Sequence, residues 1–272
     1  MNTRALSTVL IVLALAGCGA RDESPPPAAT APPPAAWQLK MQEAATAAAA
    51  NDAAGVRKAL VQALAEAPDP QIAASILTDL AGLTGGEDPA AAVALCRTEL
   101  ARWEAAYGTS AVAIAPVLVV QAQVCGLSGD QAASEASAGR ALALLEGKFG
   151  AEHPALAPAL GVRMQALAGL RRWDEAAACG ERLLLILERN GGTDNPRYVG
   201  TLNGQIALLA AAGRFADAIA LNNRAIAIVE RTRGPRSPDL ATALVNGAGL
   251  LHQAGRPFEA DVMERRAAAL AP

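Results

Sequence analysis

The sequence has few of the residues from which enzyme and cofactor sites are built. Only 3% of its residues are aromatic, and it has two histidines, His153 and His252, that are far apart along the chain. No glycine-rich phosphate loop follows an apolar strand, and no Gly-x-Ser-x-Gly motif occurs. Because metal sites combine several His, Cys or carboxylate ligands, we expect no metal, no cofactor and no catalytic activity.

Clustered positive charge is also missing. The formal net charge is -3, and the 23 Lys and Arg residues are scattered rather than grouped. Nucleic acids are bound by a basic patch or stripe, so we expect no nucleic-acid partner. Ala and Leu are abundant, and this composition is typical of an all-helical protein.

Cysteine is scarce, and the positions of the four thiols limit cross-linking. They are Cys18, Cys96, Cys125 and Cys179. If Cys18 is modified, the other three can form at most one intramolecular disulfide. Pairing the two helices on either side of Gly108 offsets Cys96 from Cys125 by about 9 Å along the helix axis. We therefore favour buried free thiols, and a disulfide stays the alternative.

The first 17 residues have the order of a secretion signal. Arg4 supplies an N-terminal positive charge, and residues 5–16 are apolar apart from Ser7 and Thr8. A helix that crosses a bilayer needs about 20 apolar residues, so this stretch is too short for a permanent anchor. We interpret residues 1–17 as a signal peptide.

The signal ends in a pattern that resembles the lipobox of bacterial lipoproteins. The residues are Leu15-Ala16-Gly17-Cys18. The resemblance implies cleavage before Cys18 and attachment of a lipid, including palmitate, to Cys18. Because Gly19 rather than Asp follows, the resemblance favours the outer membrane, facing the periplasm. The alternative is an ordinary secretory signal followed by a chance cysteine.

Residues 18–36 have the composition of a tether. They contain two runs of three prolines, residues 25–27 and 32–34, among Ala, Ser and Thr. Such a segment favours extended polyproline II, at about 3.1 Å per residue. We expect it to hold a folded domain away from the membrane.

From residue 69 the chain repeats every 42 residues. Glycine recurs at Gly108, Gly150, Gly192 and Gly234. Five further sets of positions keep the same 42-residue spacing. Proline occurs at Pro70, Pro154, Pro196 and Pro238, with Val112 in the second repeat. A first apolar column is Ile76, Leu118, Leu160, Leu202 and Leu244, and a second, seven residues later, is Leu83, Cys125, Leu167, Leu209 and Leu251. A column of small residues is Ala92, Ser134, Ala176, Ala218 and Ala260, and a break between helices recurs at Gly129, Arg171, Gly213 and Gly255. A spacing of seven keeps residues on one helical face, and Asp69-Pro70, Asn195-Pro196 and Ser237-Pro238 predict helix starts. Each unit is predicted to be helix A, a tight turn, helix B and a loop.

This pattern resembles the tetratricopeptide repeat, TPR, in its 42-residue kinesin-light-chain-like form. The resemblance is carried by stretches such as residues 213–225 and 241–256. It implies an all-α, right-handed α-solenoid of stacked helix-turn-helix repeats, with five repeats over residues 69–272. Residues 37–68 resemble a further, degenerate repeat. Leu and Ala replace most of the family's large aromatic residues.

The resemblance implies a scaffold or adaptor that binds a protein or peptide. The family's groove positions fall on two rows of residues that are mostly small and nearly uncharged, and the Lys and Arg by which some members hold a ligand's carboxylate are absent from them. The rows are Leu77, Val119, Gly161, Asn203 and Val245, and Ala81, Gln123, Gln165, Ala207 and Gly249. We hypothesise that four amides, which both donate and accept hydrogen bonds, contact a partner's backbone; their alternative role is simple solvation. They are Gln123, Gln165, Asn203 and Asn246.

Other functions remain open at this point. One alternative is a periplasmic receptor that binds a small molecule or a glycan in the groove, although aromatic residues are missing from the groove positions. Another is a structural spacer with no partner. An arginine column at Arg140, Arg182, Arg224 and Arg266 could bind an anion, but we favour its pairing with carboxylates of adjacent repeats. The identity of the partner and the oligomeric state are not predicted.

Overall fold

A computed structural model describes residues 35–84, 88–194 and 196–270. The predicted signal peptide, the lipidation residue Cys18 and all but the last two residues of the predicted tether lie outside the described residues. Among the helices that are described, none combines the length and the apolarity needed to cross a membrane.

Within the described residues the chain forms twelve α-helices and no strands. The helices are α1 Ala36–Ala49, α2 Ala53–Ala65, α3 Pro70–Thr84, α4 Pro89–Tyr107, α5 Ala115–Leu127, α6 Gln131–Phe149, α7 Ala157–Gly169, α8 Trp173–Gly191, α9 Pro196–Ala211, α10 Phe215–Arg233, α11 Pro238–Gln253 and α12 Pro257–Ala268. The odd-numbered helices from α3 onward are called A helices, and the even-numbered helices from α4 onward are called B helices. The B helices begin 42 residues apart throughout.

The helices form two compact units, one ending at Gly129 and the other beginning at Asp130. In the first unit α1 packs against α2, α2 against α3, and α3, α4 and α5 against one another. In the second unit each helix from α6 to α12 packs against the next one in the sequence. The predicted all-α fold of consecutive helix pairs is therefore confirmed.

The residues that recur every 42 positions lie in the core of each unit. In the first apolar column, Ile76, Leu118, Leu160, Leu202 and Leu244 are no more than 1% exposed. All five members of the small column are buried as well. Side chains larger than Ala or Ser would separate the helices at these contacts, because protein interiors are close-packed.

The predicted turn residues adopt the conformation that ends a helix. Gly108, Gly150, Gly192 and Gly234 each follow a B helix with φ between 69° and 89°. This left-handed region is accessible to glycine without a steric penalty. In the tight turns between A and B helices Gly213 and Gly255 also have positive φ, and Arg171 takes the same position with φ 58°.

The predicted helix starts are confirmed where the structure describes them. The carboxylate of Asp69 accepts from the backbone N–H of Ile72 at 2.9 Å, and Ser237 accepts from Leu240 at 3.2 Å. Asn195 lies outside the described residues. Two A helices differ from the prediction, because the repeats that begin at Val112 and Pro154 start with a 3₁₀ turn before α5 and α7.

Candidate binding surface and interhelical contacts

The A helices of the second unit expose a strip of small, uncharged residues. On α9 the exposed residues Gly200, Asn203, Gly204 and Ala207 are spaced three and four apart and therefore share one face. The corresponding residues Thr242, Val245 and Asn246 are exposed on α11, and Gln165 is exposed on α7. We call these exposed residues of α7, α9 and α11 the A-helix face.

The four amides singled out in the sequence are all exposed. Gln165, Asn203 and Asn246 belong to the A-helix face, and Gln123 is exposed on α5 of the first unit. The other members of the predicted groove rows differ more: Leu77 and Val119 are buried, whereas Val245 is 57% exposed. A ligand-binding role of the four amides remains a prediction.

Aromatic side chains are missing from the exposed surface of the described A helices. Tyr198, on α9, is fully buried. The tryptophans at positions 37, 103 and 173 lie on α1, α4 and α8. An aromatic platform of the kind that holds sugars or planar ligands is therefore not present on the A-helix face.

Two buried amides were missed by the sequence reasoning. Gln205 of α9 is fully buried, and its Nε2 donates to the carbonyl of Ala177 on α8 at 2.9 Å. Asn222 of α10 is 3% exposed, and its Nδ2 donates to the carbonyl of Ala243 on α11 at 3.2 Å. Both bonds tie an A helix to the B helix that precedes it, so these amides are structural.

Each buried amide lies opposite a glycine. A methyl group on Gly180 would overlap the amide of Gln205, with the Cδ atom only 2.5 Å away. A methyl group on Gly247 would lie 2.5 Å from Nδ2 of Asn222. In both pairs the A-helix residue is 25 positions after the B-helix residue. In the first pair the glycine lies on the B helix and the amide on the A helix, and in the second pair the amide lies on the B helix and the glycine on the A helix.

Three arginines of the column pair with carboxylates of the preceding repeat, as favoured from the sequence. Nη2 of Arg224 on α10 lies 2.9 Å from Glu188 on α8. Arg182 pairs with Glu146 and Arg266 with Glu230, so that each carboxylate is 36 residues earlier. These ion pairs link successive B helices on a partly exposed surface, where each contributes about 0–1 kcal/mol. These three arginines are therefore paired and do not form an open anion site.

Three acidic residues at the starts of B helices also recur every 42 residues, but they do not pair with the arginine column. Glu175, Asp217 and Glu259 pair with Arg172, Arg214 and Arg256, each three residues earlier at the start of a B helix. Hydrogen bonds from Arg172 hold the pKa of Glu175 below its usual value, and those from Arg256 do the same for Glu259. These ion pairs lie in the first turn of these three B helices and do not involve the arginine column.

The three described cysteines are free thiols, as favoured from the sequence. Cys96 and Cys125 are buried, and Cys179 is partly exposed. Burial raises the pKa of the Cys96 thiol to about 12, and the charges of Cys125 and Glu99 add to this shift. A thiol that is protonated and buried is a packing residue rather than a nucleophile.

One histidine lies beside two carboxylates. His252, in the last turn of α11, faces Asp261 and Glu264 of α12, and the nearest ligand atoms of the three side chains lie within 4.8 Å of one another. Nε2 of His252 is 3.0 Å from Oε1 of Glu264. All three residues are exposed. The other histidine, His153, stacks on Phe149 at 4.5 Å and caps the turn before α7.

Comparison with known sequences finds one family. Residues 198–272 match the family described as tetratricopeptide repeat. No curated protein matches the chain.

Solved structures of TPR proteins have the same fold. A Podosopora anserina protein with nearly identical TPR-like repeats of the kinesin light chain type has a TM-score of 0.68 and 16% identity, with 75% of this chain and 97% of that chain covered. BtubC (BKLC) from P. vanneervenii has a TM-score of 0.63 and 17% identity, with 86% and 91% covered. A tetratricopeptide repeat protein from Parabacteroides merdae has a TM-score of 0.56 and 14% identity, with 87% and 80% covered. Identities this low establish the fold alone.

Proposed function

We propose that this chain is a protein interaction scaffold that holds an extended polypeptide on the A-helix face, because residues 198–272 match the tetratricopeptide repeat family and the fold is that of kinesin-light-chain-like TPR proteins. TPR proteins bind protein or peptide partners through surfaces of this kind, and they are in general not catalysts. The observation that carries the proposal is the exposed row of Asn203, Gly204 and Ala207 on α9. Small residues allow the backbone of a partner to approach, and amides can both donate to it and accept from it.

The chemistry of this face argues for a backbone-directed contact. The groove positions on α7, α9 and α11 carry no Lys or Arg, so a terminal carboxylate of the partner has no cationic clamp there. An apolar or polar uncharged peptide segment fits better than an acidic one. The receptor alternative is less well supported, because no aromatic side chain is exposed on the described A helices.

Site-specific photo-cross-linking tests this proposal in the native host. A photoreactive amino acid replaces Ala207 on the A-helix face or, as a matched control, Ala227, which is an exposed alanine of the B helix α10. We expect one reproducible protein adduct from position 207 and none from position 227. Equal adducts at both positions would count against the A-helix face, and the absence of adducts at both positions would favour a spacer.

Alanine substitutions test the amides themselves. Gln165, Asn203 and Asn246 are replaced together in the second unit, and Gln123 is replaced separately in the first. We expect the triple substitution to weaken capture of the cross-linked partner at least tenfold, while the helical circular dichroism stays unchanged. If replacing all four amides leaves capture unchanged, their assignment as contact residues is wrong.

We further propose that the scaffold is a lipoprotein of the bacterial cell envelope, anchored through Cys18. The support for this proposal is the order of a signal followed by Leu15-Ala16-Gly17-Cys18 and a proline-rich segment. A single acyl chain gives weak membrane binding, whereas several chains on one residue give a stable anchor. The tether then leaves the repeats free to meet a partner in the periplasm.

Labelling with a fatty-acid analogue tests the anchor. We expect the wild type to incorporate the label and Cys18→Ser to lose it completely. The favoured outer-membrane position predicts that Gly19→Asp moves the lipidated protein to the inner-membrane fraction. A wild-type protein that is unlabelled and recovered in the soluble periplasmic fraction would point to an ordinary secretory signal.

A further inference from the structure

The last helix pair brings three metal-ligating side chains together across its turn. His252 comes from the end of α11, and Asp261 and Glu264 are three residues apart on α12, so they project from neighbouring turns of one face. Their ligand atoms lie within 4.8 Å of one another. In a tetrahedral Zn²⁺ site, with metal–ligand distances of about 2.1 Å, ligand atoms are separated by about 3.4 Å. Rotation of exposed side chains closes this difference.

These three residues interrupt the repeat. One period earlier the same positions hold Ala210, Ile219 and Asn222, and two periods earlier they hold Ala168, Ala177 and Gly180. In those repeats Ala177 and Asn222 form hydrogen bonds to the A helix that follows. Three periods earlier the Asp261 position holds Glu135, but the other two positions there hold Gly126 and Ala138. The last repeat is thus the only one of the five that combines an imidazole and two carboxylates at these positions, and all three residues are exposed.

We propose that His252, Asp261 and Glu264 form a binding site for a divalent transition-metal ion, of which Zn²⁺ is the best match. A neutral imidazole and carboxylate oxygens are ligands that Zn²⁺ accepts, whereas Mg²⁺ and Ca²⁺ favour sites made of oxygen alone. Two carboxylates also neutralise the charge of the ion. Three protein ligands leave one tetrahedral position for water or for a donor from a partner.

The ion would bind between two side chains that already contact each other. Nε2 of His252 lies 3.0 Å from Oε1 of Glu264 without an ion, so the two side chains are already turned toward each other. Zn²⁺ binds the lone pair of the neutral ring and takes the carboxylate as the next ligand. Because α11 and α12 are then linked through the ion, binding stabilises the terminal helix pair against separation. This inference is independent of the proposed function.

The test uses the full chain in detergent, freed of metal by a chelator, and titrates it with ZnCl₂ by calorimetry. We expect one ion per chain, with a dissociation constant in the micromolar range for an exposed three-ligand site, and a rise of a few degrees in Tm. Co²⁺ in place of Zn²⁺ is expected to give the visible absorption bands of a tetrahedral nitrogen and oxygen site.

The two histidines supply a matched pair of variants. His252→Gln is expected to weaken Zn²⁺ binding at least tenfold and to abolish the rise in Tm, whereas His153→Gln leaves both unchanged. Asp261→Asn and Glu264→Gln should each weaken binding. Helical circular dichroism of the metal-free variants verifies that they are folded. Equal affinity of the wild type and His252→Gln, or no binding to the wild type, would overturn the site.

Discussion

Gln205 of α9 fills the space that Gly180 of α8 leaves open. Its Nε2 donates to the carbonyl of Ala177, one turn before Gly180, and a methyl group on Gly180 would overlap the amide. We expect Gly180→Ala to destabilise the protein, because overpacking costs about 1–3 kcal/mol and outweighs the gain of about 1 kcal/mol in helix propensity. Urea unfolding followed by circular dichroism measures the change.

The control for this prediction is a glycine that lies in open space. Gly147 on α6 has no atom within 4 Å of an added Cβ, so Gly147→Ala should stabilise the protein by up to about 1 kcal/mol. The double variant Gly180→Asn, Gln205→Gly reproduces the Asn222–Gly247 arrangement. It should be more stable than the sum of its single variants predicts, with a coupling of about 0.5–3 kcal/mol. Additive effects would show that the two positions do not compensate each other.

Arg171 occupies a backbone conformation that suits glycine. Its φ is 58°, and the same position holds Gly213 with φ 75° and Gly255 with φ 72°. We expect Arg171→Gly to raise the free energy of unfolding by about 0.5–1 kcal/mol, because removal of the Cβ relieves strain but makes the unfolded chain more flexible. The reciprocal change, Gly213→Arg, should lower it by a similar amount. Thermal unfolding of both variants, with the wild type alongside, decides the point; a loss of stability in Arg171→Gly would contradict it.

The repeat period accounts for what the sequence could predict of the fold. Ile76 and its four equivalents, and the small column from Ala92 to Ala260, are buried in every repeat, as their recurrence on one helical face predicts. The compensating pair of Gly180 and Gln205 could not be predicted. The equivalent positions hold residues of different kinds in the other repeats, such as Cys96 and Glu264 for Gly180, so they show no pattern. The contact also joins positions 25 residues apart in different helices.

The candidate sites likewise combine features that the sequence predicts with features that it does not. The exposure of Asn203 and Gln165 follows from their helical phase, and the structure agrees with it. The proximity of His252 to Asp261 and Glu264 depends on how the turn at Gly255 sets one helix against the next. A count of two histidines predicts no metal site, because it does not include carboxylates that come from another helix.

The thiols should differ in reactivity by burial. Cys179 is partly exposed, and although burial raises its pKa, Arg163 and Arg182 act in the opposite direction. At pH 8 the thiolate fraction of Cys96, with its pKa of about 12, is lower than that of an ordinary thiol by roughly a thousandfold. We expect iodoacetamide to label Cys179 first and Cys96 and Cys125 only after unfolding, as followed by peptide mass spectrometry. Early labelling of Cys96 would show that the helices around it open readily.

Asp79 on α3 predicts a specific dependence of stability on pH. Its Oδ2 is buried without a hydrogen-bond partner in the described part of the chain, and burial raises its pKa above 3.8. Because the folded state then binds the proton more tightly than the unfolded state, stability from this group falls as pH rises from 3.8 through the raised value. Asp79→Asn should therefore be more stable than the wild type at pH 7.

The advantage of Asp79→Asn should vanish in acid, where the wild-type carboxyl is protonated. Urea midpoints at pH 7 and near pH 3 measure it. Asp88→Asn provides the control, because Asp88 is an exposed N-cap that bonds to Ala91 at 3.0 Å and Asn caps a helix equally well. An equal gain at both pH values would mean that the charge of Asp79 is not the cause.

The exchange of large and small residues between Gly180–Gln205 and Asn222–Gly247 means that the 42-residue repeats cannot replace one another. If one whole 42-residue unit were deleted between residues 181 and 246, for example residues 190–231, Gly180 would face Gly247 across an empty contact. If the same unit were duplicated, Asn222 would meet a second copy of Gln205 in a space that admits one amide. The chain therefore specifies the order of its repeats as well as their number, and misaligned stacking during folding is penalised at the contacts that the period alone would make equivalent.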